Sequence, residues 1–221
     1  MGALPTAGAV VDELQSLASA DELAKVRRRL DPAEPAIGVR MRSVFDVAKA
    51  ATAMPLDEWE RLVVEPTYEA RMVAFSILDF QARKDVGSRV LCSTYLGHHD
   101  RITTWDMVDR AAPRVVGAAL AAGPYDVLHE LAGSVEPLRR RSAMTAPLWF
   151  TRHGSPADLA AGFDVATILC TDAEPSVHKA AGIFLAHAGQ RDPAALSRFL
   201  EQHSAVMPAA GRRLATRKVT G

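Results

Sequence analysis

The 221-residue sequence has few of the features that assign a chain quickly to a class of protein. Aromatic residues make up 6% of it, and there are only two cysteines, Cys92 and Cys170. Because both cysteines stand alone in apolar surroundings, we expect buried free thiols and a cytoplasmic protein. No apolar run approaches the roughly 18–20 residues of a membrane span, so we expect no membrane partner. The N-terminal segment also lacks the basic region and apolar core of a secretory signal.

The short motifs of nucleotide-binding proteins and common hydrolases are missing as well. The chain contains no G-x-x-x-x-G-K-[ST], G-x-G-x-x-G, G-x-S-x-G or H-E-x-x-H. The triplet His98-His99-Asp100 is a weak metal motif, because adjacent histidines point in different directions and no cysteine lies close by. A solvated loop is the better interpretation of the triplet. We therefore expect no metal, nucleotide or redox cofactor.

Net charge is zero, but the charge is unevenly distributed along the chain. Residues 139–221 contain 11 Lys and Arg against 6 Asp and Glu, whereas residues 1–138 contain 15 against 20. The basic C-terminal end includes Lys218. This asymmetry is compatible with an anionic partner on one side of the molecule, and equally with a basic end that is merely solvated.

Helical periodicity dominates what is present. Apolar residues recur at three- and four-residue spacing in VVDELQSLA, EARMVAFSILDFQA, VGAALAA, DLAAGFDVATILC and VHKAAGIFLAHAG, and no segment alternates over a strand length. Helix starts are marked by a proline behind an acidic or hydroxyl residue. These prolines are Pro137, Pro156, Pro175 and Pro193. The rhythm predicts about 12 short helices paired every ~35–40 residues, as in helical repeats.

The predicted fold is therefore all-α, a curved solenoid of antiparallel helix pairs of the HEAT-like or ARM-like kind. About six pairs fit the length. We expect a single domain over residues 1–221, with a mobile segment over the first ten residues.

The segment TTWDMVDRAAPRVVG, residues 103–117, contains an unusual acid. In a helix, Trp105, Val108 and Ala112 share one face, and Asp109 lies one turn after Trp105 on that face. Charged residues are rarely buried without a partner. Two interpretations stay open: Trp105 fills the core while Asp109 pairs with Arg141 to tie two helices together, or the pair lines a functional groove.

Basic residues near helix ends form a second set of candidates. The inner helices of a solenoid line one concave surface, where recurring cations would follow a phosphate backbone. Each cation could instead solvate only its own helix. The set comprises Arg40, Arg42, Arg139, Arg140, Arg141, Lys179, Arg212 and Arg213.

Several segments, taken in order, resemble the AlkD family of HEAT-like-repeat DNA alkylation repair glycosylases. They are IGVRMRSVFDVAK, YEARMVAFSIL, TTWDMVDRAAPRVVG, LRRRSAM, VHKAAGIFLAHAGQRD and HSAVMPAAGRRLATRK, and they cover about residues 35–218. The resemblance implies a curved helical stack with a basic concave face. It also implies a monofunctional DNA N-glycosylase that excises cationic N3- or N7-alkylated purines from duplex DNA and leaves an abasic site.

The resemblance also implies which residues do this. The family's Trp-x-x-x-Asp corresponds to Trp105 and Asp109, and the arginine of its next inner helix corresponds to Arg141, so these three are the implied catalytic residues. The implied DNA contacts are Arg40, Arg42, Arg140, Lys179, Arg212 and Arg213.

One wall of the implied cleft departs from the family pattern. Where the family has a second tryptophan, the chain has Ile183 followed by Phe184, and an arginine expected three positions later is Ala186. An aromatic contact could come instead from Phe184 or Trp149 if either faces the groove. A less aromatic cleft suits bulkier adducts.

The chemistry fits these residue types. A purine that already carries positive charge leaves without a general acid, so the paired carboxylates of sugar-cleaving enzymes are not needed. One carboxylate can stabilise the oxocarbenium-like sugar and position water. A tryptophan contact with a cation contributes roughly 0.5–2 kcal/mol, and an arginine can grip a phosphate through two hydrogen bonds.

We expect a monomer that acts in the cytoplasm and associates with the nucleoid when bound to DNA. Two other functions remain open: a DNA-structure-binding relative without chemistry, and a protein-interaction scaffold.

Overall fold

The computed structural model describes residues 2–217, which fold into α-helices and shorter helical turns and contain no β-strand. The first helices are α1 Ala7–Ser16, α2 Ala20–Arg27, α3 Met41–Ala50, α4 Leu56–Val63, α5 Tyr68–Ala82, α6 Arg89–Gly97 and α7 Trp105–Ala112. The remainder are α8 Asp126–Ala132, α9 Pro137–Thr145, α10 Phe150–His153, α11 Pro156–Leu169, α12 Pro175–Arg191, α13 Pro193–His203 and α14 Ala209–Thr216. The all-α prediction is confirmed. Lys218 of the basic end lies outside the described residues.

The chain divides into two compact units, Met1–Ala111 and Ala112–Gly221. Neither unit, over the residues described, contains a helix long and apolar enough to cross a membrane. The predicted grouping into six helix pairs within one domain stays a prediction.

The N-terminal unit is built around α5. Every residue from 72 to 79 on this helix is buried, because α1, α3, α4 and α6 pack around it. Trp59 of α4 meets Phe75 edge to face and donates its indole N–H to the carbonyl of Ala74 at 2.7 Å. The chain start is anchored too, since the Ala7 N–H donates to the Glu58 carboxylate at 2.8 Å. The predicted mobility of the first ten residues stays a prediction.

The His98-His99 pair belongs to the same core. The ring of His98 lies against Trp59 with centroids 5.1 Å apart, and His99 is buried with its ring edge-on to Tyr95. The interpretation as a solvated loop is wrong for the two histidines, because both rings pack against aromatic side chains. The described residues contain no group of three or more His, Cys, Asp or Glu arranged to hold a metal ion.

The C-terminal unit is built around α12, which packs against α9, α11, α13 and α14. Gly182 allows α14 to approach closely, since a Cβ there would lie 2.3 Å from the carbonyl oxygen of Gly211. The proline signals are confirmed, because each of the four prolines is the first residue of its helix.

Two smaller predictions have different outcomes. Cys92 and Cys170 are buried free thiols, as expected, and burial raises the pKa of Cys92 to about 11, which makes its thiol less reactive. The stretch VGAALAA does not form the predicted α-helix. Residues Pro113–Gly117 form a π-helical turn followed by further turns. Proline at 113 removes a backbone donor that a continuing α-helix would need.

Candidate active site and cationic surface

Helix α7 turns Trp105 and Asp109 away from the core. Met107, Val108 and Ala111 are buried on one side of the helix, whereas Trp105 is 53% exposed and Asp109 is exposed one turn later. At about 100° per residue, the Trp105–Asp109 edge lies roughly opposite Met107 and Ala111. The interpretation in which Trp105 fills the core is wrong, and the pair forms an exposed edge that combines an aromatic face with a carboxylate.

The first turn of α7 is fixed by Asp106, which lies beside Trp105. Its carboxylate accepts hydrogen bonds from Arg29 at 2.7 Å, from the Tyr68 hydroxyl at 2.6 Å and from the Thr104 hydroxyl at 2.5 Å. Burial and the neighbouring Asp106 charge raise the pKa of Tyr68, so its hydroxyl remains a donor. The two acids of α7 therefore differ: Asp106 holds the helix in place, and Asp109 faces outward.

Arg110, which follows Asp109, is turned into the N-terminal unit. Its guanidinium lies 2.9 Å from the Asp79 carboxylate, and the rings of Phe45 and Phe80 flank it at 4.6 and 4.8 Å. This half-buried cation packs α7 against α5 and α3, so it supports the position of the exposed edge.

The Tyr-Glu-x-Arg segment of α5 has a structural role that the sequence did not reveal. The fully buried Glu69 carboxylate accepts backbone N–H groups of Ile37, Gly38 and Val39 at 3.1, 2.8 and 3.3 Å. Gly38 has φ +84 and lies where a Cβ would clash with the backbone of α2, so glycine is required there. The contacts fix the chain just before Arg40, the N-cap residue of α3.

Arg40 and Arg42 are both exposed at the start of α3. The first turn of this helix contains no acid, and cations at a helix N-terminus gain nothing from the helix dipole. Arg40 forms an ion pair with Glu22, whose carboxylate lies 3.7 Å away. Helix stability therefore does not account for these two arginines, and their predicted contact with DNA stays a prediction that the placement allows.

Arg140 on α9 is committed to the C-terminal unit. It forms two hydrogen bonds with Asp172, at 2.6 and 3.1 Å, and donates to the carbonyls of Ser134 and Val135 at 3.0 and 2.9 Å. Burial acts to raise the pKa of Asp172, but the Arg140 and Glu174 N–H donors bring it below its usual value. This arrangement gives Arg140 a structural role and does not favour its predicted contact with DNA.

Arg141 is also turned inward. It is 5% exposed, and one of its N–H groups donates to the carbonyl of Ser176 at the start of α12. An open two-bond grip on a phosphate needs an accessible guanidinium edge. The placement therefore favours a residue that positions α9 against α12 over the predicted direct phosphate contact.

The remaining predicted cations lie on the surface of the C-terminal unit. Lys179 is exposed on α12, and Arg212 and Arg213 are exposed on α14. Arg212 donates one N–H to the carbonyl of Ser204 at 3.0 Å. All three can reach an external anion, so their predicted DNA contacts remain open.

The two residues of the expected cleft wall point in different directions. Ile183 is half-buried and shares one side of α12 with Lys179, four residues before it, and His187, four residues after it. Phe184 is fully buried against Gly162, with its ring 5.7 Å from that of Phe163. The prediction that Phe184 forms a cleft wall is wrong, because a rotation of about 100° from Ile183 sends it into the core.

The fold and the site together define an all-α protein with an exposed tryptophan–aspartate edge on one helix and outward-facing cations on others. The family model described as DNA alkylation repair enzyme matches residues 10–219, so the chain belongs to the DNA alkylation repair enzyme family. The predicted resemblance is confirmed at this level, and the family indicates DNA as the partner. No curated protein matches the chain significantly.

Proposed function

We propose that this protein is a monofunctional DNA N-glycosylase that excises positively charged N3- or N7-alkylated purines from duplex DNA and leaves an abasic site. The observation that carries the proposal is the exposed edge of α7, where Trp105 and Asp109 stand one turn apart outside the core. Trp59 and Asp79 of the same unit, in contrast, are buried.

In this proposal, Asp109 stabilises the sugar, and the ring of Trp105 contacts the positively charged alkylated base. The bond between C1′ and the purine nitrogen breaks, and its electron pair neutralises the alkylated base. The Asp109 carboxylate stabilises the positive charge that develops on the deoxyribose. Water then adds to C1′ and loses a proton to the carboxylate or to solvent. Because the base is already charged, no second carboxylate is required to protonate it.

The cations that face outward are assigned to contacts with the DNA backbone. We place Arg40, Arg42, Lys179, Arg212 and Arg213 against phosphates, where they would hold the duplex in register without reading its sequence. Arg141 acts as a positioning residue. Ile183 leaves an aliphatic surface where the related enzymes have an aromatic ring, which favours lesions bulkier than a methyl group.

The test is release of alkylated base from duplex DNA by the wild type, Asp109→Asn and Asp12→Asn. Asp12 is an exposed acid in the middle of α1, so Asp12→Asn removes the same charge without touching α7. Substrates carry either N7-methylguanine or a bulkier N7 adduct. We expect release by the wild type and Asp12→Asn and a loss of about 10²–10³-fold in Asp109→Asn. Equal release by all three would remove Asp109 from the mechanism.

A DNA-structure-binding protein without chemistry is the second candidate. The absence of a second tryptophan at Ile183 favours it, because cation–π stabilisation of the lesion is weaker there. This candidate predicts salt-dependent binding of DNA and no release of any alkylated base by the wild type. A protein scaffold would show neither binding nor release.

A further inference from the structure

The C-terminal unit contains a cleft of about 250 Å³ that the site described above does not include. Two arginines, two histidines and a tryptophan line it, and no carboxylate does. Its lining residues are Pro113, Arg114, Leu148, Trp149, Thr151, Arg152, His153 and His187.

The aromatic and cationic groups of this cleft are closely arranged. The Arg114 guanidinium lies 6.0 Å from the centre of the half-buried Trp149 ring, and His153 stacks on that ring with centroids 4.1 Å apart and a tilt of 32°. Arg152 is exposed and makes no ion pair with any described residue. The cleft therefore combines a flat ring with cationic donors beside it.

Backbone packing holds this arrangement in place. A Cβ at Gly117 would lie 2.1 Å from the carbonyl oxygen of Ala146 and 2.8 Å from the Cβ of Trp149. The π-helical turn that contains Arg114 thus rests directly on the 3₁₀ turn Ala146–Leu148, which precedes Trp149. The contact requires glycine and fixes the Arg114-bearing turn beside the ring.

Two other clefts differ from this one in charge. The N-terminal cleft beside α3 is lined by the acids Glu22 and Asp106 as well as by cations. The groove between α11 and α13 is lined by the acids Asp164 and Asp192. Acids inside a cleft oppose the entry of a phosphate, whereas cations alone favour it. The Arg114–Trp149 cleft is therefore suited to a ligand that has both an anion and a planar ring.

We propose that the Arg114–Trp149 cleft binds one nucleotide of a DNA strand, with its phosphate against Arg114 and Arg152 and its base on the face of Trp149. His187, which lines the cleft, lies one turn after Ile183 on α12. The cleft thus offers, next to Ile183, the aromatic contact that Ile183 cannot make. This inference rests on the proposed function only in taking DNA as the partner.

The first test measures affinity for an unmodified 20-base-pair duplex over a range of salt concentrations. Arg114→Gln should weaken binding and make the slope of log K against log salt shallower by about one unit. Trp149→Ala should weaken binding about 5- to 150-fold, and Trp149→Phe should retain most of the affinity. Arg198→Gln, which removes an exposed cation on α13 outside this cleft, should leave the slope and affinity unchanged.

The second test uses tryptophan emission, which reports on the surroundings of the ring in the DNA complex. In a Trp105→Phe background, the remaining tryptophans are the buried Trp59 and the half-buried Trp149. Stacking of a base on Trp149 should quench the emission as DNA is added, and the further change Trp149→Phe should abolish the quenching. This readout reports on contact with the ring and not on folding.

Thermal melting of every variant separates a local effect from unfolding. If Trp149→Ala does not fold, the test relies on Arg114→Gln and Trp149→Phe. Wild-type affinity and salt slope in Arg114→Gln, with no quenching of Trp149, would overturn the inference. Failure of the wild type to bind DNA at any salt concentration would overturn the proposed function with it. Binding and base release by the wild type, with silent cleft variants, would overturn only the cleft.

Discussion

Helix α7 in the N-terminal unit and helix α9 in the C-terminal unit both carry charged residues that the sequence marks as functional candidates. These candidates are exposed on α7 and turned inward on α9. On α7, Trp105 and Asp109 stand on the exposed side. On α9, Arg141 is buried and Arg140 forms an ion pair with Asp172. The difference shows that a charged residue on a helix is available for chemistry only when its own unit leaves that side of the helix uncovered.

Substitutions on the two helices should therefore affect different properties of the protein. Substitutions on the exposed edge of α7 should change catalysis while leaving the free energy of unfolding nearly unchanged. Substitutions of the arginines of α9 should change the free energy of unfolding first, and activity only as a consequence.

The largest expected effect on stability is that of Arg140→Met. The substitution leaves the largely buried Asp172 carboxylate without its guanidinium, so the free energy of unfolding should fall by about 2–3 kcal/mol in urea denaturation. Arg139→Met is the matched control, because Arg139 pairs at the surface with Glu136 and should cost less than about 0.5 kcal/mol. Unchanged stability with weaker DNA binding would place Arg140 in the functional surface and erase the contrast between the helices.

The next effect is on activity. Trp105→Ala should slow base release about 2- to 30-fold, which corresponds to the roughly 0.5–2 kcal/mol of a cation–π contact. Because Trp105 is more than half exposed, urea denaturation should show little change in stability. A large loss of stability with unchanged release would make Trp105 a packing residue after all.

A smaller effect tests how the exposed edge is held. Tyr68→Phe removes the hydroxyl that donates to Asp106, so it should lower the free energy of unfolding by about 1 kcal/mol. It should also slow base release slightly, because the first turn of α7 is less firmly fixed. A variant with normal stability and normal release would show that Arg29 and Thr104 hold Asp106 without Tyr68.

The smallest effect is a pH dependence in the C-terminal unit. The pKa of Asp172 lies below its ordinary value of 3.8, so its ionised form stabilises the fold above about pH 4, and this stabilisation is lost as pH falls through the lowered pKa. Thermal melts between pH 5 and pH 2.5 should therefore fall more steeply for the wild type than for Arg140→Met. Parallel curves would contradict the assigned role of this pair.

Local signals predicted much of the fold. The prolines at the starts of α9, α11, α12 and α13 and the helical spacing depend on neighbouring residues alone, so the sequence was sufficient for them. The buried thiols followed from equally local surroundings.

The site was predictable only in part. The apolar stripe of α7 centres on Met107, Val108 and Ala111. Helical spacing alone grouped Trp105 with Val108 and left both a core position and a groove position open. Arg140 finds Asp172 across 32 positions of sequence, a pairing that no local pattern reveals. Phe184 is buried for the same reason, since the partner Phe163 comes from another helix. Motifs were enough to propose a chemistry, but the exposure of each residue required the packed structure.

The central claim is that Asp109 supports cleavage of the glycosidic bond and does not serve to hold DNA. The most direct measurement is the single-turnover rate of N7-methylguanine release from a duplex by the wild type and Asp109→Asn, with duplex affinity measured in parallel. We predict release about 100-fold slower or worse in Asp109→Asn, with affinity unchanged or higher because a negative charge is lost beside DNA. Release at the wild-type rate by Asp109→Asn would contradict the claim.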